Sequence, residues 1–345
     1  MKKDTKSIIE FYMLANKLKY LTKHNEDLSV ANKLYNNIIL AYAINSEFNI
    51  TDNIGNLIRD ILIHTISKYN SSNNKILLKN IKSENLLIEK ISILEETLHN
   101  ILNKYIINFK EKDIISIYNN IKKDDHLKYL NKYINYNSLR FYILNTFLNT
   151  KVRSGWDKNH WDVKSSRIEK VSEHVIGTLG LAIGISEYYD FDINLDDVLE
   201  ILAIHEIGEI FIGDITPFDG ISEQEKKQQE HNAMKQVLGN LVIRNHALKL
   251  LCDFDDKRTI DARFAYLCDK LEADIQAKVY QDKGFQKSLD DQENNVVFKN
   301  ERIQEFLRNG ANTVFDMFYL FDKSKYKDDP ILKKTLEYVK NNSLN

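Results

Sequence analysis

The residues best placed to do chemistry lie in the segment ILAIHEIGEIFIGD. On a helix, His205 and Glu209 are four apart and share a face, and Glu206 is three from Glu209. Asp214 follows just after Gly213. An imidazole and three carboxylates thus crowd one helix end among Ile201, Leu202, Ile204, Ile207, Ile210 and Ile212. Burying so many acids beside apolar groups is costly unless a cation compensates. A divalent metal would do so, and His with carboxylates suits Mn, Fe, Co or Zn. The segment by itself reads equally as a helix whose acids face water, with His205 packed at the boundary.

Two further segments bear on that choice. In RFAYLCDKLEADIQAKVY, Asp269 stands on an apolar stretch with Phe264, Leu267, Cys268 and Leu271. A lone acid there needs a partner, either a shared cation or an arginine such as Arg263. In VSEHVIGTLG, His174 sits on an apolar helical pattern. The other histidines have plainer readings. His24, His99 and His126 lie among charges, His64 packs half-buried in an apolar helix, and His160, His231 and His246 have no partner visible in the sequence.

The elements that must hold these residues are helical. Ile8, Ile9, Phe11, Tyr12, Ala15, Leu18 and Leu21 recur at three and four. So do Leu34, Tyr35, Ile38, Ile39 and Tyr42, and Leu87, Ile91, Leu94, Leu98, Ile101, Leu102 and Tyr105. Helical periods also cover 171–189, 196–212, 223–250, 260–280 and 303–321, with Tyr69 to Asn74 as a loop. No succession of alternating strand patterns occurs, so the fold class is all-α. No period of 20–50 residues is evident, which excludes a solenoid.

Composition divides the chain near residue 150. Residues 1–150 hold one glycine, Gly55, and no proline, as packed helices do. They carry 21 Lys and Arg against 15 Asp and Glu, net +6, and the remainder carries 27 against 35, net −8. The whole chain of 345 residues has net charge −2, so no strong field draws it to nucleic acid or a membrane. The longest apolar run near the N-terminus, Ile38 to Ile44, is far short of a membrane span. Two cysteines, Cys252 and Cys268, match no zinc module or disulfide framework. With no signal-peptide h-region, a cytoplasmic protein with reduced thiols is expected.

The ordered set His174, His205-Glu206, Asp269 resembles the H…HD…D ligands of HD-domain metal-dependent phosphohydrolases. Arg153-Ser154-Gly155-Trp156 resembles their R-x-G-W, and Val171-Ser172-Glu173-His174 their S-V-A/S-E-H. His205 to Ile210 with Gly213-Asp214-Ile215 resembles H-D-L-x-E-I…G-D-I. Glu230 with Ala233, and Asp269-Lys270-Leu271-Glu272 with Gln276-Ala277, resemble E-x-x-A and D-K-L-E…Q-A. The branch is that of YfbR-like 5'-deoxynucleotidases, and the likeness covers residues 138–341. It implies an HD-domain helical bundle at 138–341, preceded by a separate N-terminal helical domain at 1–137 of unassigned role.

The resemblance also implies roles. His174, His205, Glu206 and Asp269 would hold a divalent metal, Mn or Co first, with Mg, Zn, Fe or Ni as alternatives. Glu209 and Asp214 would be catalytic, Glu209 on water or the leaving oxygen and Asp214 on its neighbours or the sugar hydroxyl. Arg153 would clamp phosphate, Trp156 would pack on sugar or base, and Ser172 would complete the substrate site. The substrate would be a small-molecule nucleotide and the assembly a homo-oligomer, a dimer, with no membrane or nucleic-acid partner. Glu206 departs from the family's Asp, and its extra methylene displaces the carboxylate. Two other readings stay open: hydrolysis of another nucleotide phosphate ester, and an inactive nucleotide sensor. The absence of a glycine-rich phosphate loop and of a local Lys/Arg cluster weighs against a triphosphate.

Overall fold

The computed structural model describes residues 4–22, 27–70, 85–105, 135–164, 168–188 and 192–345. His24 and His126 lie outside these residues, as does all of the expected loop at 69–74 beyond residue 70. The described residues are helical, with three isolated β-bridges and no strand.

Local chemistry sets the helix ends. α1 (Thr5–Lys17) starts where the Asp4 carboxylate accepts from Ser7 N–H. α2 (Val30–Phe48) starts at a reciprocal capping box of Ser29 and Asn32. α3 (Ile54–Tyr69) and α4 (Asn85–Tyr105) follow, then α5 (Tyr136–Thr146), capped by Asn135. α6 (Val171–Tyr188) carries His174. α7 (Leu195–Ile204) opens with Asp196 and Asp197 at its positive N-terminal end and stops just before His205.

After α7 come α8 (Glu209–Ile212), α9 (Glu223–Leu238) and α10 (Arg244–Asp256). The long α11 (Ile260–Asp282) carries Asp269. α12 (Glu301–Arg308), α13 (Val314–Asp322) and α14 (Pro330–Asn341) complete the chain.

Three expected helices are in fact pairs. The 196–212 pattern breaks at a turn over 205–208, so His205 lies in that turn and Glu209 opens the next helix. The 223–250 pattern breaks at Gly239, whose φ of +53° suits a residue without Cβ. The 303–321 pattern breaks before a fresh capping box, Thr313 with Asp316. Apolar periodicity is continuous across each break, so it could not mark them.

α11 runs through the centre and packs on α6, α7, α13 and α14. α1 lies on α6, α2 on α5 and α6, and α3 on α7. The expected division after residue 137 falls inside the first turn of α5. One hydrophobic core runs across it, from Ile8 to Leu344. Each fully buried Ile, Leu or Phe in it contributes about 1.5–3 kcal/mol.

Candidate metal centre

Four side chains from three places in the chain converge. His174 comes from the first turn of α6, His205 and Glu206 from the turn after α7, and Asp269 from the middle of α11. One ligand atom from each lies within 4.8 Å of all the others. His174 Nε2 is 2.9 Å from Asp269 Oδ1 and 3.6 Å from Glu206 Oε1. His205 Nε2 is 3.5 Å from Glu206 Oε1 and 3.8 Å from Asp269 Oδ1. The longer Glu206 therefore still reaches the cluster. Asp269 does not pair with Arg263, which reaches Asp328 instead; its second oxygen meets Lys270 Nζ at 2.9 Å.

Backbone and carboxylate contacts aim both rings. His205 Nδ1–H donates to Leu202 O at 2.9 Å, leaving Nε2 as the ring's lone-pair nitrogen. His174 Nδ1–H donates to Glu272 Oε2 at 2.6 Å, so its Nε2 also faces the cluster. His205 Nε2 and Glu209 Oε2 are buried and have no hydrogen-bond partner among the described residues. An orphaned imidazole nitrogen beside two carboxylates is what a bound cation would satisfy. Two nitrogens and two oxygens at this spacing fit a divalent transition metal.

Charge in the site is polarised. Burial alone would raise the Glu206 carboxyl, but His205, Arg153 and His174 outweigh it and hold it at about 2. Asp269 is likewise held well below the usual range, because Lys270 and the bond from His174 outweigh its burial. Glu209 goes the other way. Burial, then the charges of Asp214 and Glu206, push it well above the ordinary carboxyl range. Arg153 Nη1 lies 2.9 Å from Glu206 Oε1, 4.0 Å from Glu209 and 3.8 Å from Asp214. Asp214 also accepts from Ser154 N–H at 2.7 Å, so it anchors the Arg153 loop.

These residues open onto a cavity of about 640 Å³. Arg153, Trp156, Glu209 and Asp214 line it. Trp156 is a fixed wall: its Nε1–H donates to Glu169 at 3.1 Å and its ring stacks 5.1 Å from Phe318. Ser172 is elsewhere. It is fully buried, accepts from Asn32 Nδ2 at 2.9 Å and does not line the cavity, because the first turn of α6 turns it toward α2. Lys226, Lys270, Arg302 and Lys325 also line the wall. A cluster of cations thus does line the site; it comes from three helices and the turn after α13, so no local run betrayed it.

Other residues escaped the sequence reading. Glu272, three after Asp269 on α11, shares its face, and that spacing was a usable signal. Lys19 Nζ bonds Glu272 Oε1 at 2.6 Å and also Glu169, and Tyr12 O–H donates to Glu272 Oε1 at 2.8 Å. Nothing in the sequence connects α1 with this site. Glu169, His174 and Glu272 form a second acidic group, but Lys19 meets its charge. His160, without a visible partner in the sequence, bonds Asp157 and Thr216, and His246 bonds Glu200. Glu230 pairs locally with Lys226, 3.5 Å away.

Comparison with protein families matches residues 147–309 to the HD domain. Human 5'-deoxynucleotidase HDDC2 is 30% identical over 132 residues, 38% of this chain and 61% of that protein. The 5'-deoxynucleotidase HDDC2 of Dictyostelium discoideum is 28% identical over 152 residues, 42% of this chain and 78% of that protein. The 5'-deoxynucleotidase hdd1 of Schizosaccharomyces pombe is 28% identical over 142 residues, 39% and 68% of the two chains. The chain therefore spans about three-fifths of the human relative's length. No helix among the described residues is long and apolar enough to cross a membrane.

Proposed function

With residues 147–309 forming an HD domain, we propose that the chain is a metal-dependent phosphohydrolase that removes the 5'-phosphate from nucleoside monophosphates, deoxyribonucleotides first. The observation that carries this is the cluster of His174, His205, Glu206 and Asp269 at the floor of a nucleotide-sized cavity, with His205 Nε2 left without a partner. The names of the similar proteins support the substrate class.

Those four residues would hold the ion. When bound, a divalent metal polarises a phosphoryl oxygen and lowers the pKa of its water toward about 7. The remaining work falls to the chain. Glu209, its carboxyl pushed well above the ordinary range by burial and by the charges of Asp214 and Glu206, is suited to hand a proton to the departing 5'-oxygen. Arg153 presents a planar fork to the phosphate from its seat among Glu206, Glu209 and Asp214. Asp214 fixes the loop that carries Arg153. Trp156, already bonded and stacked, supplies a rigid wall for sugar or base.

A second reading is hydrolysis of a nucleotide with a longer phosphate chain. Lys226, Arg302 and Lys325 on the cavity wall favour it. Both readings are tested by phosphate release from ribo- and deoxyribonucleoside mono- and triphosphates. Chelator-stripped protein receives Mn, Co, Mg or Zn, with Glu209→Gln as control. Metal-dependent release from monophosphates that the control lacks is the expected result. Release from triphosphates alone moves the assignment to the second reading. No release with any metal, restored by Glu206→Asp, would sink the enzymatic reading in favour of a nucleotide sensor.

A further inference from the structure

The N-terminal helices repeat the framework that carries the metal cluster. Phe11, Tyr12, Leu14 and Leu18 recur as Phe141, Tyr142, Leu144 and Leu148, a constant offset of 130. The first set lies on α1 and the short turn after it, the second on α5 and the turn after it. An antiparallel bridge then joins Thr22 to Ser29, and another joins Val152 to Lys170. Beside the first, Val30 N–H donates to Leu21 O at 2.7 Å; beside the second, Val171 N–H donates to Lys151 O at 2.9 Å. Residues before each bridge loop keep the offset of 130, and residues after it are offset by 141. That second offset takes the start of α2, Val30, to the start of α6, Val171, and the start of α3, Ile54, to the start of α7, Leu195. It also takes His64 to His205.

Packing between the two sets is reciprocal. α1 lies on α6, with Ala15 against Gly180 and Phe11 against Gly184. α5 lies on α2, with the Phe141 ring 5.7 Å from Tyr42 and Asn145 accepting from Tyr35. α3 lies on α7, where Asn56 N–H donates to Asp196 at 2.8 Å. Asp196 is the counterpart of Gly55, so this contact sits where a two-fold axis would pass. Reciprocal contacts with self-contact at the axis are the signature of an isologous pair.

The copies differ where chemistry is done. Lys33 and Thr65 stand where His174 and Glu206 stand. The bridge loop of the second copy is longer by 11 residues, the difference of the two offsets, and it carries Arg153 and Trp156. The counterpart of Lys19 is Asn149, which donates to Asn36 at 2.8 Å, away from the metal cluster. Lys19 instead reaches across to Glu272, whose other oxygen accepts from His174.

We propose that residues 4–69 are a second copy of the helical framework that has lost metal binding and serves as a built-in pseudo-subunit. Its contribution to the site is Lys19, a positioning residue that fixes Glu272 and through it the His174 ring. The chain is thereby its own dimer, and the place of a second chain is already filled. The Lys19 part rests on the metal-binding reading above; the pseudo-subunit part does not.

The test uses the full chain, with sedimentation mass and cobalt(II) titration of wild type, Lys19→Met, Tyr12→Phe and Asn149→Leu. A one-chain particle binding one cobalt per chain is expected. Lys19→Met should weaken cobalt binding about 10–100-fold and shift its ligand-field band, as loss of a ligand's outer partner does. Asn149→Leu, breaking the counterpart contact, should lower the unfolding temperature with cobalt affinity unchanged. Tyr12→Phe removes one bond to Glu272 at little cost to folding, and should weaken cobalt binding less than Lys19→Met but measurably; it decides the matter if Lys19→Met does not fold.

A two-chain particle, or two cobalt ions per chain, would overturn the pseudo-subunit. Cobalt affinity unchanged in both Lys19→Met and Tyr12→Phe, or lost equally in Asn149→Leu, would overturn the role of Lys19. Wild type that binds no cobalt would instead sink the metal reading, while the mass still decides the pseudo-subunit.

Discussion

α2–α3 and α6–α7 are two helix pairs whose first helices match in length, at 19 and 18 residues, and whose second helices differ, at 16 and 10; both pairs are entered through the same kind of bridged loop and pack against each other. In one pair the histidine at the end, His205, is buried and aimed into carboxylates; in the other, His64 is half-buried on α3. The same helical framework is built in both, and a handful of residues separates a candidate metal centre from a packing surface. A longer loop, one carboxylate and one imidazole, with Asp269 added from α11, make the difference. Fold and site are separable quantities in this molecule.

The widest gap between the pairs should appear on removing each histidine. His205→Ala should abolish metal-dependent phosphate release. His64→Ala should leave it intact and change stability by about 1 kcal/mol or less. Equal loss in both would break the comparison. Next, Glu209→Gln should lower kcat by about 10²–10⁴-fold, the usual contribution of a positioned acid. Metal titration should be unaffected, since Glu209 is not in the ligand cluster.

The contact between the pairs is probed by Gly55→Ala. A Cβ there would lie 2.3 Å from the Asp196 backbone oxygen. The helices must part, at a cost of about 1–3 kcal/mol by chemical denaturation. A neutral result would mean that α3 and α7 do not meet as closely as drawn.

The smallest effect concerns pH. Burial, chiefly, raises Asp255 on the cavity wall to about 6, and its Oδ2 is buried without a partner. A carboxyl whose folded pKa exceeds its unfolded value binds more protons when folded. It therefore lowers stability as pH rises from about 4 through 6. Asp255→Asn should melt a few degrees higher than wild type at pH 7, and the gap should close below about pH 4. A gap independent of pH would assign the effect to packing.

Much of the site was legible because its residues sit in short ordered motifs. His205-Glu206, Glu209 and Asp214 lie within one turn-rich segment, and His174 and Asp269 each interrupt an apolar helical face. The all-α class followed from periodicity in a segment nearly free of glycine and proline. Ser172 misled, because His174 two positions on faces the site and helix positions two apart point about 200° apart, to nearly opposite sides. Lys226, Arg302 and Lys325 were missed because no spacing along the chain relates residues brought together from distant elements.

Sequence alone determined the helical class, which rests on local spacing, while the ordered ligand set came from the resemblance to HD-domain phosphohydrolases. Tertiary structure decided the rest. It ended helices where periodicity ran on, turned Trp156 from a loose aromatic into a bonded wall, and brought Lys19 and Tyr12 to Glu272. It also paired α1–α3 with α5–α7. In the residues the likeness of the two sets is confined to scattered matches such as Phe11 with Phe141, but complementary surfaces must meet in three dimensions, so the contacts show the pairing more plainly than the letters do.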